Sequence, residues 1–211
     1  MAQTLAIVDY GLGNLRSIRA ALERLEVPYV CSSDEDLIRD AKGLIIPGVG
    51  AFPDGMKNLR DLGLVGVLDE LVLEKKRPVL GICLGFQLMA REGHEFGIEP
   101  GLGWLDAKVV RMEPAGADIR VPHMGWNDCA RARASEIFAG IPDDALFYFT
   151  HSYHVECLDE QDVTAVSDHG HRFVAAVQKG RIYGTQFHPE KSQSHGLTVL
   201  RNFVDKVVNG C

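Results

Sequence analysis

Residues 78–89 constrain the fold more than any other stretch, because an apolar, strand-like run passes there directly into a helix-like run. The junction reads Gly81-Ile-Cys-Leu-Gly85, which is a glycine-x-nucleophile-x-glycine pattern. In this pattern a sharp strand-to-helix turn exposes the central side chain above a sheet. The glycines are needed because the turn brings backbone segments so close that a Cβ would clash. Cys83 is therefore a candidate nucleophile at the end of a strand.

A cysteine at the start of a helix is placed for reactivity, since unpaired N–H groups and the helix dipole favour an anion there. Such sites lower the pKa of a thiol from about 8.5 to roughly 3.5–7.5. The alternative is an inert buried thiol, because free cysteine is among the most buried residue types. The residues around Cys83 alone do not separate these two interpretations.

The first part of the chain alternates strand-like and helix-like runs, and the second part consists of short strand-like runs closed by a helix. Strands are predicted over 4–8, 28–31, 43–46 and 78–82 in the first part and over 104–112, 145–149, 153–157, 164–166, 173–179 and 181–185 in the second. Helices are predicted after Asn14, after Ser33 or Asp34, over 54–74 with breaks near Gly63 and Gly66, over 84–91 and over 193–208. Alternation of this kind predicts a parallel sheet with helices on both faces. We therefore predict an α/β fold over residues 1–211 as a single domain, with a mostly parallel central sheet flanked by helices and an antiparallel or mixed β extension.

The composition is that of an ordinary globular protein, with 46% hydrophobic and 24% charged residues in 211. A net charge of −7 argues against nucleic acid or an anionic membrane as a partner. The five cysteines are odd in number and contain no C-x-x-C, which favours a reducing compartment without a disulfide framework. With no basic leader and no apolar run near the ~20 residues of a membrane helix, we expect a cytoplasmic protein.

His188 is the candidate base, because a strand-like run ends at it in Gly184-Thr-Gln-Phe-His-Pro-Glu190. In parallel sheets, sites collect at the carboxyl ends of the strands, where Cys83 also lies. Pro189 fixes φ and stiffens the turn. Glu190 can accept from His188 and hold the tautomer that a base needs. Alone, the three residues could be a solvated strand end; together with the cysteine elbow they predict a catalytic triad.

Pro47-Gly-Val-Gly50 follows another buried strand and is the candidate oxyanion site. Backbone N–H groups of Val49 and Gly50 could lie beside Cys83, with the N–H of Leu84 as a further donor. Taken alone, the segment could equally be an ordinary turn. It completes neither a phosphate-binding loop nor a dinucleotide fingerprint, so no cofactor is predicted.

The remaining histidines do not predict a metal site. His151 and His154 are three residues apart at a strand entry, and no further ligands have suitable spacing. The other histidines stand in polar contexts where we expect solvent-facing side chains: His94, His169, His171 and His195.

The two triad motifs, Gly81–Gly85 and Phe187–Glu190, together resemble the triad (class I) glutamine amidotransferases, whose fold is flavodoxin-like. Three further motifs, Asp9–Leu15, Pro122–Asn127 and Tyr148–His154, are similar to the glutaminase subunits of imidazole glycerol phosphate synthases. The resemblance covers nearly the whole chain. Phe86 departs from it, standing where an aliphatic residue or methionine is usual, and the triad is intact.

This resemblance implies a reaction in which Cys83 attacks the side-chain amide of glutamine to give a thioester and ammonia. His188 protonates the leaving ammonia and then activates water, while Glu190 orients His188. The positions that match glutamine contacts of the family are Gly50, Gln87, Glu95, Ser152 and Tyr153.

The resemblance further implies a heterodimer with a (β/α)8-barrel cyclase, which uses the ammonia to make imidazole glycerol phosphate and an aminoimidazole carboxamide ribonucleotide in histidine biosynthesis. Asn14, Pro47 and Trp126 match positions near that interface. No cofactor, nucleic acid or membrane is implied. We expect weak glutaminase activity of the isolated chain, because the glycine-containing segment after Pro47 could present its oxyanion donor only once the cyclase has bound its ligand.

The residues alone support a narrower conclusion, namely a cysteine-dependent acyl transferase or hydrolase on an α/β sheet. Three alternatives stay open at this stage: an amidotransferase of another pathway, a non-catalytic regulatory subunit with the same fold, and a cysteine peptidase. The intact Cys83, His188 and Glu190 argue against the regulatory subunit.

Overall fold

The computed structural model describes residues 5–113, 115 and 119–210, so Thr4, the predicted start of the first strand, lies outside the described residues. The strands are β1 Leu5–Val8, β2 Tyr29–Ser32, β3 Gly43–Gly48, β4 Val79–Cys83, β5 Ala90–Gly93, β6 Glu99–Pro100, β7 Leu105–Arg111, β8 His123–Asp128, β9 Ala130–Arg131, β10 Leu146–His151, β11 Tyr153–Cys157, β12 Val163–Asp168, β13 Arg172–Lys179 and β14 Ile182–Thr185. The α-helices are α1 Leu15–Arg24, α2 Glu35–Asp40, α3 Phe52–Asp61, α4 Leu64–Asp69, α5 Leu84–Gln87 and α6 Gln193–Asn202; α4 and α6 continue as π-helical turns over Glu70–Glu74 and Phe203–Val208.

The described strands of the main sheet run in the order β2-β1-β3-β4-β14-β13-β12-β9. From β2 to β14 the neighbours pair in parallel. From β14 to β9 they pair antiparallel, beginning with the tight β13–β14 hairpin. The central parallel strands β1, β3 and β4 are buried throughout, as expected for strands covered on both faces. The predicted parallel sheet with an antiparallel extension is confirmed.

The core lies on both faces of this sheet, and side chains of β1 alternate between its two halves. Leu5 and Ile7 pack with α1 and α6, whereas Ala6 and Val8 pack with α2, α3 and α4. Helix α1 begins where the side chain of Asn14 accepts from the backbone of Ser17, as the sequence predicts for a capping asparagine. Among the described residues, no helix has the length and apolar content needed to cross a bilayer.

The parallel pairing brings several loop-forming strand ends to one edge of the sheet. Gly48 lies opposite Cys83 at the ends of β3 and β4, and Thr185 of β14 lies opposite Ile82. The segment after β14, which leads to His188, therefore lies on one side of the Cys83 elbow, and the segment after β3, which begins at Val49, lies on the other. This edge is where ligands bind in open α/β sheets.

Two smaller sheets cover this edge. One has the order β11-β7-β5-β6, and the other is the antiparallel β8–β10 ribbon, in which Trp126 lies opposite Tyr148 and His123 opposite His151. The backbone N–H of His188 donates to the carbonyl oxygen of Tyr148 over 2.9 Å. The ribbon is thereby attached to the end of β14.

The helix predicted over 84–91 is wrong in its length, because α5 ends at Gln87 and the chain continues as β5. The carbonyls of Leu88, Met89 and Ala90 accept from Leu102, Leu105 and Gly103 instead of from a longer helix. Long-range pairing thus replaces helical hydrogen bonds that the local sequence would also allow.

The helical stretch predicted over 54–74 is interrupted at Gly63, whose φ of +71° ends the preceding helix, but not at Gly66, which lies inside α4. Strands β5, β6, β8 and β9 were not predicted. For β8 the signal was present, since burial alternates along part of the strand, but a histidine, a glycine and an asparagine within it weaken the apolar alternation.

Candidate active site

The predicted turn at Cys83 is present, and it is strained. Cys83 has φ +53° and ψ −108°, a conformation that L residues rarely adopt and that concentrates at functional sites. A Cβ added at Gly81 would lie 2.7 Å from the Cα of Phe86, and one at Gly85 only 1.7 Å from the carbonyl oxygen of Ile46. Both glycines are therefore required by close backbone approach.

The helix after Cys83 is shorter than its sequence suggests, and this changes the electrostatic argument. Helix α5 comprises only Leu84–Gln87, a single turn. Because a macrodipole is the sum of aligned peptide dipoles, one turn supplies little of it. Stabilisation of a thiolate at Cys83 must come mainly from neighbouring side chains.

His188 and Glu190 form a buried pair directly after β14. Nδ1 of His188 lies 2.7 Å from Oε1 of Glu190, and both side chains are 2% exposed. Since a carboxylate can only accept, Nδ1 carries the proton and Nε2 is the nitrogen left for chemistry. Nε2 is buried and makes no hydrogen bond to any residue that the structure describes.

The charge state of His188 follows from its neighbours. Burial lowers the pKa of His188, but the negative charges of Cys83 and Glu190 outweigh burial and raise the pKa to about 10. At neutral pH the imidazole is therefore protonated beside the cysteine. An imidazolium beside a cysteine is the arrangement that nucleophilic cysteine catalysis uses.

Ser192 holds the backbone of this segment in place. Its hydroxyl donates to the carbonyl of His188 over 2.6 Å and accepts from the backbone N–H of Tyr148 over 3.0 Å. Ser192 is itself buried. His188 is thus fixed by the turn that follows it as well as by Glu190.

A cavity of about 420 Å³ opens beside Cys83, which is a size suited to a small ligand. Most predicted site residues meet there. Its lining consists of Val49, Gly50, Cys83, Leu84, Gln87, Glu95, Pro122, Thr150, His151, Ser152, Tyr153 and Lys191.

The candidate oxyanion segment lies against the elbow because Gly48 allows it. A Cβ at Gly48 would lie 2.8 Å from Cβ of Leu84 and 3.0 Å from the backbone nitrogen of Gly85. Val49 and Gly50 follow at the surface of the cavity, with Gly50 at φ +126°. Val49, Gly50 and Leu84 therefore line the same cavity as Cys83.

Two predicted glutamine contacts already have defined partners. Gln87 donates through Nε2 to the carbonyl of Tyr153 over 2.9 Å and to Oε1 of Gln186 over 3.1 Å, which leaves only its own oxygen for a ligand. Glu95 accepts from the backbone N–H of Phe52 over 2.8 Å. Burial raises the pKa of Glu95 although this hydrogen bond opposes the rise. Both side chains present oxygen acceptors to the cavity.

Sequence reasoning missed two neighbours of the nucleophile. Nε2 of Gln186 lies 3.7 Å from Sγ of Cys83, and the Cys83 thiol lies 3.9 Å from the carbonyl oxygen of Thr150. Gln186 could have been noticed, because an amide side chain is unusual in the buried end of an apolar strand. Thr150 acts through its backbone, which gives no signal in the sequence.

The four histidines expected to face solvent, His94, His169, His171 and His195, are all half-buried, so this expectation is met only in part. His169 stacks on His123 with ring centroids 4.1 Å apart, and Nε2 of His171 lies 3.4 Å from Nε2 of His154. The β12–β13 turn brings His169 onto His123 of the β8–β10 ribbon and His171 onto His154 of β11, with the ring of Phe173 near both His123 and His171. Within the described part of the chain, no three histidine, cysteine or acidic side chains lie close enough to hold a metal ion.

The residues predicted at a partner interface differ in their surroundings. Trp126 is 45% exposed and packs edge-on against Tyr148, with centroids 5.9 Å apart. Asn14 is half-buried and caps α1. Pro47 is buried within β3, so its side chain is not available for direct contact; Val49, at 38% exposure, is the accessible residue of that segment.

Comparison with known proteins identifies the family. The model of the class-I glutamine amidotransferases matches residues 6–207. The HisH subunit of imidazole glycerol phosphate synthase from Moorella thermoacetica is 47% identical over 203 residues, covering 96% of this chain and 95% of that protein. The chain belongs to the HisH family of class-I glutamine amidotransferases. The predicted family and enzyme class are confirmed.

Other relatives and structures agree with this family. HisH 1 of Campylobacter jejuni strain 81-176 is 44% identical, covering 94% of this amidotransferase and 98% of the relative, and HisH 2 of Pseudomonas aeruginosa is 43% identical, covering 96% and 100%. A crystal structure of a glutamine amidotransferase superimposes with a TM-score of 0.75 at 22% identity, covering 97% and 98% of the two chains. The structure of PurLQS from Thermotoga maritima superimposes with a TM-score of 0.72 at 18% sequence identity, covering 97% of this chain and 99% of that one. These two structures show the shared fold.

Proposed function

We propose that this HisH-family amidotransferase hydrolyses glutamine to glutamate and ammonia through a thioester on Cys83, and that it delivers the ammonia to a synthase partner. One observation carries the proposal: the buried His188–Glu190 pair lies at the same sheet edge as the strained Cys83 elbow. The cavity beside them is lined by the residues that resemble the family's glutamine contacts.

In the first step the Cys83 thiolate attacks the amide carbon of the glutamine side chain, forming a C–S bond. Negative charge moves to the amide oxygen, which backbone N–H groups of Leu84 and of the Val49–Gly50 segment stabilise. His188 donates its Nε2 proton to the nitrogen as the C–N bond breaks, and ammonia leaves. Glu190 keeps Nε2 directed at the reaction by holding Nδ1.

In the second step water cleaves the thioester. His188 is then neutral, so its Nε2 takes a proton from water while the oxygen attacks the acyl carbon. The C–S bond breaks, Cys83 leaves as the thiolate, and glutamate is released. The proton that His188 gained restores the starting state.

Glutamine selection rests on acceptors that match its donors. The Glu95 carboxylate and the free Oε1 of Gln87 both face the cavity, and both suit an ammonium or amide N–H. Ser152 and Tyr153 complete the lining at the β10–β11 junction. We place the glutamine backbone between these groups and its side-chain amide at Cys83.

The partner in this proposal is a (β/α)8-barrel cyclase, which forms imidazole glycerol phosphate and an aminoimidazole carboxamide ribonucleotide. The relatives are named as synthase subunits, which implies a partner subunit. Trp126, Met124 and Val49 are exposed apolar side chains, of which Val49 lines the cavity, and an exposed tryptophan is a common anchor of interfaces. Because free ammonia is protonated in water, a sealed contact keeps it reactive.

The same proposal includes weak activity without the partner. Gly50 has no Cβ, so the Val49–Gly50 peptide can rotate at little cost and its donor direction is not locked. A partner seated on exposed Val49 would fix that direction. Full glutamine turnover by the isolated chain would contradict this part of the proposal.

The deciding experiment compares Cys83→Ala with Cys129→Ala, a buried cysteine elsewhere in the core. Each is assayed with the cyclase and its nucleotide, using glutamine or ammonium as nitrogen source. Cys83→Ala should lose glutamine-dependent synthesis and keep ammonium-dependent synthesis, whereas Cys129→Ala should keep both. Unchanged glutamine use by Cys83→Ala would refute the proposal, and activity only with a different synthase would assign the chain to another pathway.

A further inference from the structure

Gln186 lies between β14 and His188 and is completely buried. Its side-chain nitrogen lies 3.7 Å from the sulfur of Cys83, within hydrogen-bond distance for sulfur. Its backbone N–H donates to the carbonyl of Ala175 over 2.8 Å, which fixes the residue to the main sheet. An amide side chain buried against the nucleophile needs a reason, since burial of an amide is costly unless its groups are paired.

The orientation of this amide is determined by its neighbours. Oε1 of Gln186 accepts from Nε2 of Gln87 over 3.1 Å, and the same nitrogen of Gln87 donates to the carbonyl of Tyr153 over 2.9 Å. Because a carbonyl can only accept, Gln87 must face Tyr153 with its nitrogen. Because Nε2 of Gln87 is a donor, the Gln186 atom beside it must be the acceptor Oε1. Nε2 of Gln186 therefore points at Cys83.

On the other side of the Tyr153 carbonyl, the hydrogen bonds of the β8–β10 ribbon all point back towards that same acceptor. The Tyr153 carbonyl also accepts from Nδ1 of His151 over 2.9 Å, which leaves Nε2 of His151 as an acceptor. Nδ1 of His123 lies 3.2 Å from that nitrogen and must donate to it. Nε2 of His123 is then free to accept from Nδ2 of Asn127 over 3.4 Å. Each tautomer in the β8–β10 ribbon is consistent with the next.

We propose that Gln186 is a positioning residue for Cys83: its side-chain amide donates to the thiolate and holds the sulfur in place for attack. This rests on the proposed function, because a positioned thiolate matters only if Cys83 is the nucleophile. A hydrogen bond to the charged form of a group favours that form. Gln186 thereby supplies part of the stabilisation that the single-turn helix α5 cannot give.

The other titratable groups around the sulfur have different effects. His188, backed by Glu190, supplies a positive charge. Tyr10 is buried nearby, and both burial and the charge of Cys83 raise the pKa of its phenol, so it stays neutral. His188 and the Gln186 amide both favour the thiolate of Cys83. The effect of His188 requires a protonated imidazole, whereas the effect of Gln186 does not.

The test is the pH dependence of Cys83 alkylation by iodoacetamide in the full chain without substrate, read at the Cys83 peptide by mass spectrometry. Gln186→Met removes the donor at similar size, and Gln186→Glu replaces it by a carboxylate. Gln178→Met is the matched control, since Gln178 is half-buried and donates to Glu136 and Tyr183 away from Cys83. Far-ultraviolet circular dichroism checks that each variant is folded.

Both Gln186 variants should move the alkylation midpoint up by about one pH unit, a roughly tenfold lower thiolate fraction below the midpoint. Gln178→Met should keep the midpoint of the parent chain. An unchanged midpoint in a folded Gln186 variant overturns the proposal, as does failure of both variants to fold, which would make Gln186 purely structural. Because alkylation needs no glutamine, a parent chain that alkylates normally but hydrolyses no glutamine would count against the proposed function and not against this role.

Discussion

Gly48 and Cys83 face one another at the last paired position of β3 and β4. The candidate oxyanion segment therefore begins opposite the end of the strand that carries Cys83, and neither can shift without the other. Gly85 packs against the same strand from the other side of the elbow.

Gly85→Ala should unfold or strongly destabilise the chain. Its Cβ would lie 1.7 Å from the backbone oxygen of Ile46, which cannot move aside as a flexible side chain can. We expect a loss of about 3 kcal/mol or more in the free energy of unfolding, measured by urea titration. Gly66→Ala is the control: Gly66 is exposed inside α4 with open space around it, so alanine should stabilise by about 1 kcal/mol. Equal stability of the two variants would contradict the packing argument.

Gly50→Ala should reduce glutamine turnover by the assembled complex about 100-fold, the scale of a lost oxyanion donor. Space for the methyl group exists, since the nearest atom, of Leu12, is 3.7 Å away, but φ +126° is strained for alanine. The peptide is expected to rotate and misdirect its N–H. Ammonium-dependent synthesis should persist. Gly140→Ala, at φ +72° with open space, provides the control, and an equal loss there would remove the site-specific explanation.

Glu190→Gln should destabilise the chain more at neutral pH than at alkaline pH. The pKa of His188 is about 10 in the folded chain against 6.5 normally. The stabilisation of the folded chain by protonated His188 is therefore complete below pH 6.5 and is lost as pH rises through about 10. Removing the carboxylate lowers that pKa and costs about 2 kcal/mol at pH 7. Urea unfolding at pH 7 and 10.5 should show the difference from the parent narrowing at the higher pH. A constant difference would mean that Glu190 acts by packing alone.

The buried histidines should make the chain sensitive to mild acid. Burial lowers the pKa of His123 to about 4, of His151 to about 3 and of His154 to about 4. Because unfolded histidines titrate near 6.5, the unfolded chain binds more protons between pH 6.5 and about 4, and stability falls as pH falls through that window. Each histidine contributes at most about 1.4 kcal/mol per pH unit.

Urea midpoints at pH 7, 6 and 5 measure this slope, and His154→Leu should flatten it. If the urea midpoint did not change from pH 7 to pH 5, these rings would accept protons without loss of stability of the folded chain, and the prediction would be wrong. His154→Leu also distinguishes the contribution of His154 from those of His123 and His151, whose hydrogen bonds lead to the Tyr153 carbonyl.

The sequence was informative wherever a local pattern fixes a local geometry. The elbow at Cys83 could be predicted because its glycines and apolar flanks lie within one turn. His188 could be placed because the strand before it ends at Pro189, which cannot continue the ladder. The parallel order of strands followed from alternation and made these ends neighbours.

What could not be predicted depends on partners distant in sequence. The chain after Gln87 leaves the helix because Leu102 and Gly103 offer donors to its carbonyls, which no local window contains. The polar neighbours of His169 and His171 favour solvent exposure, yet His169 stacks on His123, 46 residues earlier, and His171 lies against His154 of β11. The role of Gln186 emerges only once the amide orientations are traced across the sheets.

Helix α5, one turn long, has a consequence for protein engineering. Residues 81–85 transplanted into another α/β protein would reproduce the bend and the placement of the thiol, because glycine spacing determines that shape. They would not reproduce the chemical reactivity, since one turn of helix contributes little field and the groups that tune the sulfur arrive from β14 and the segment after it. A working graft therefore has to include residues 182–190 as a second, spatially registered piece.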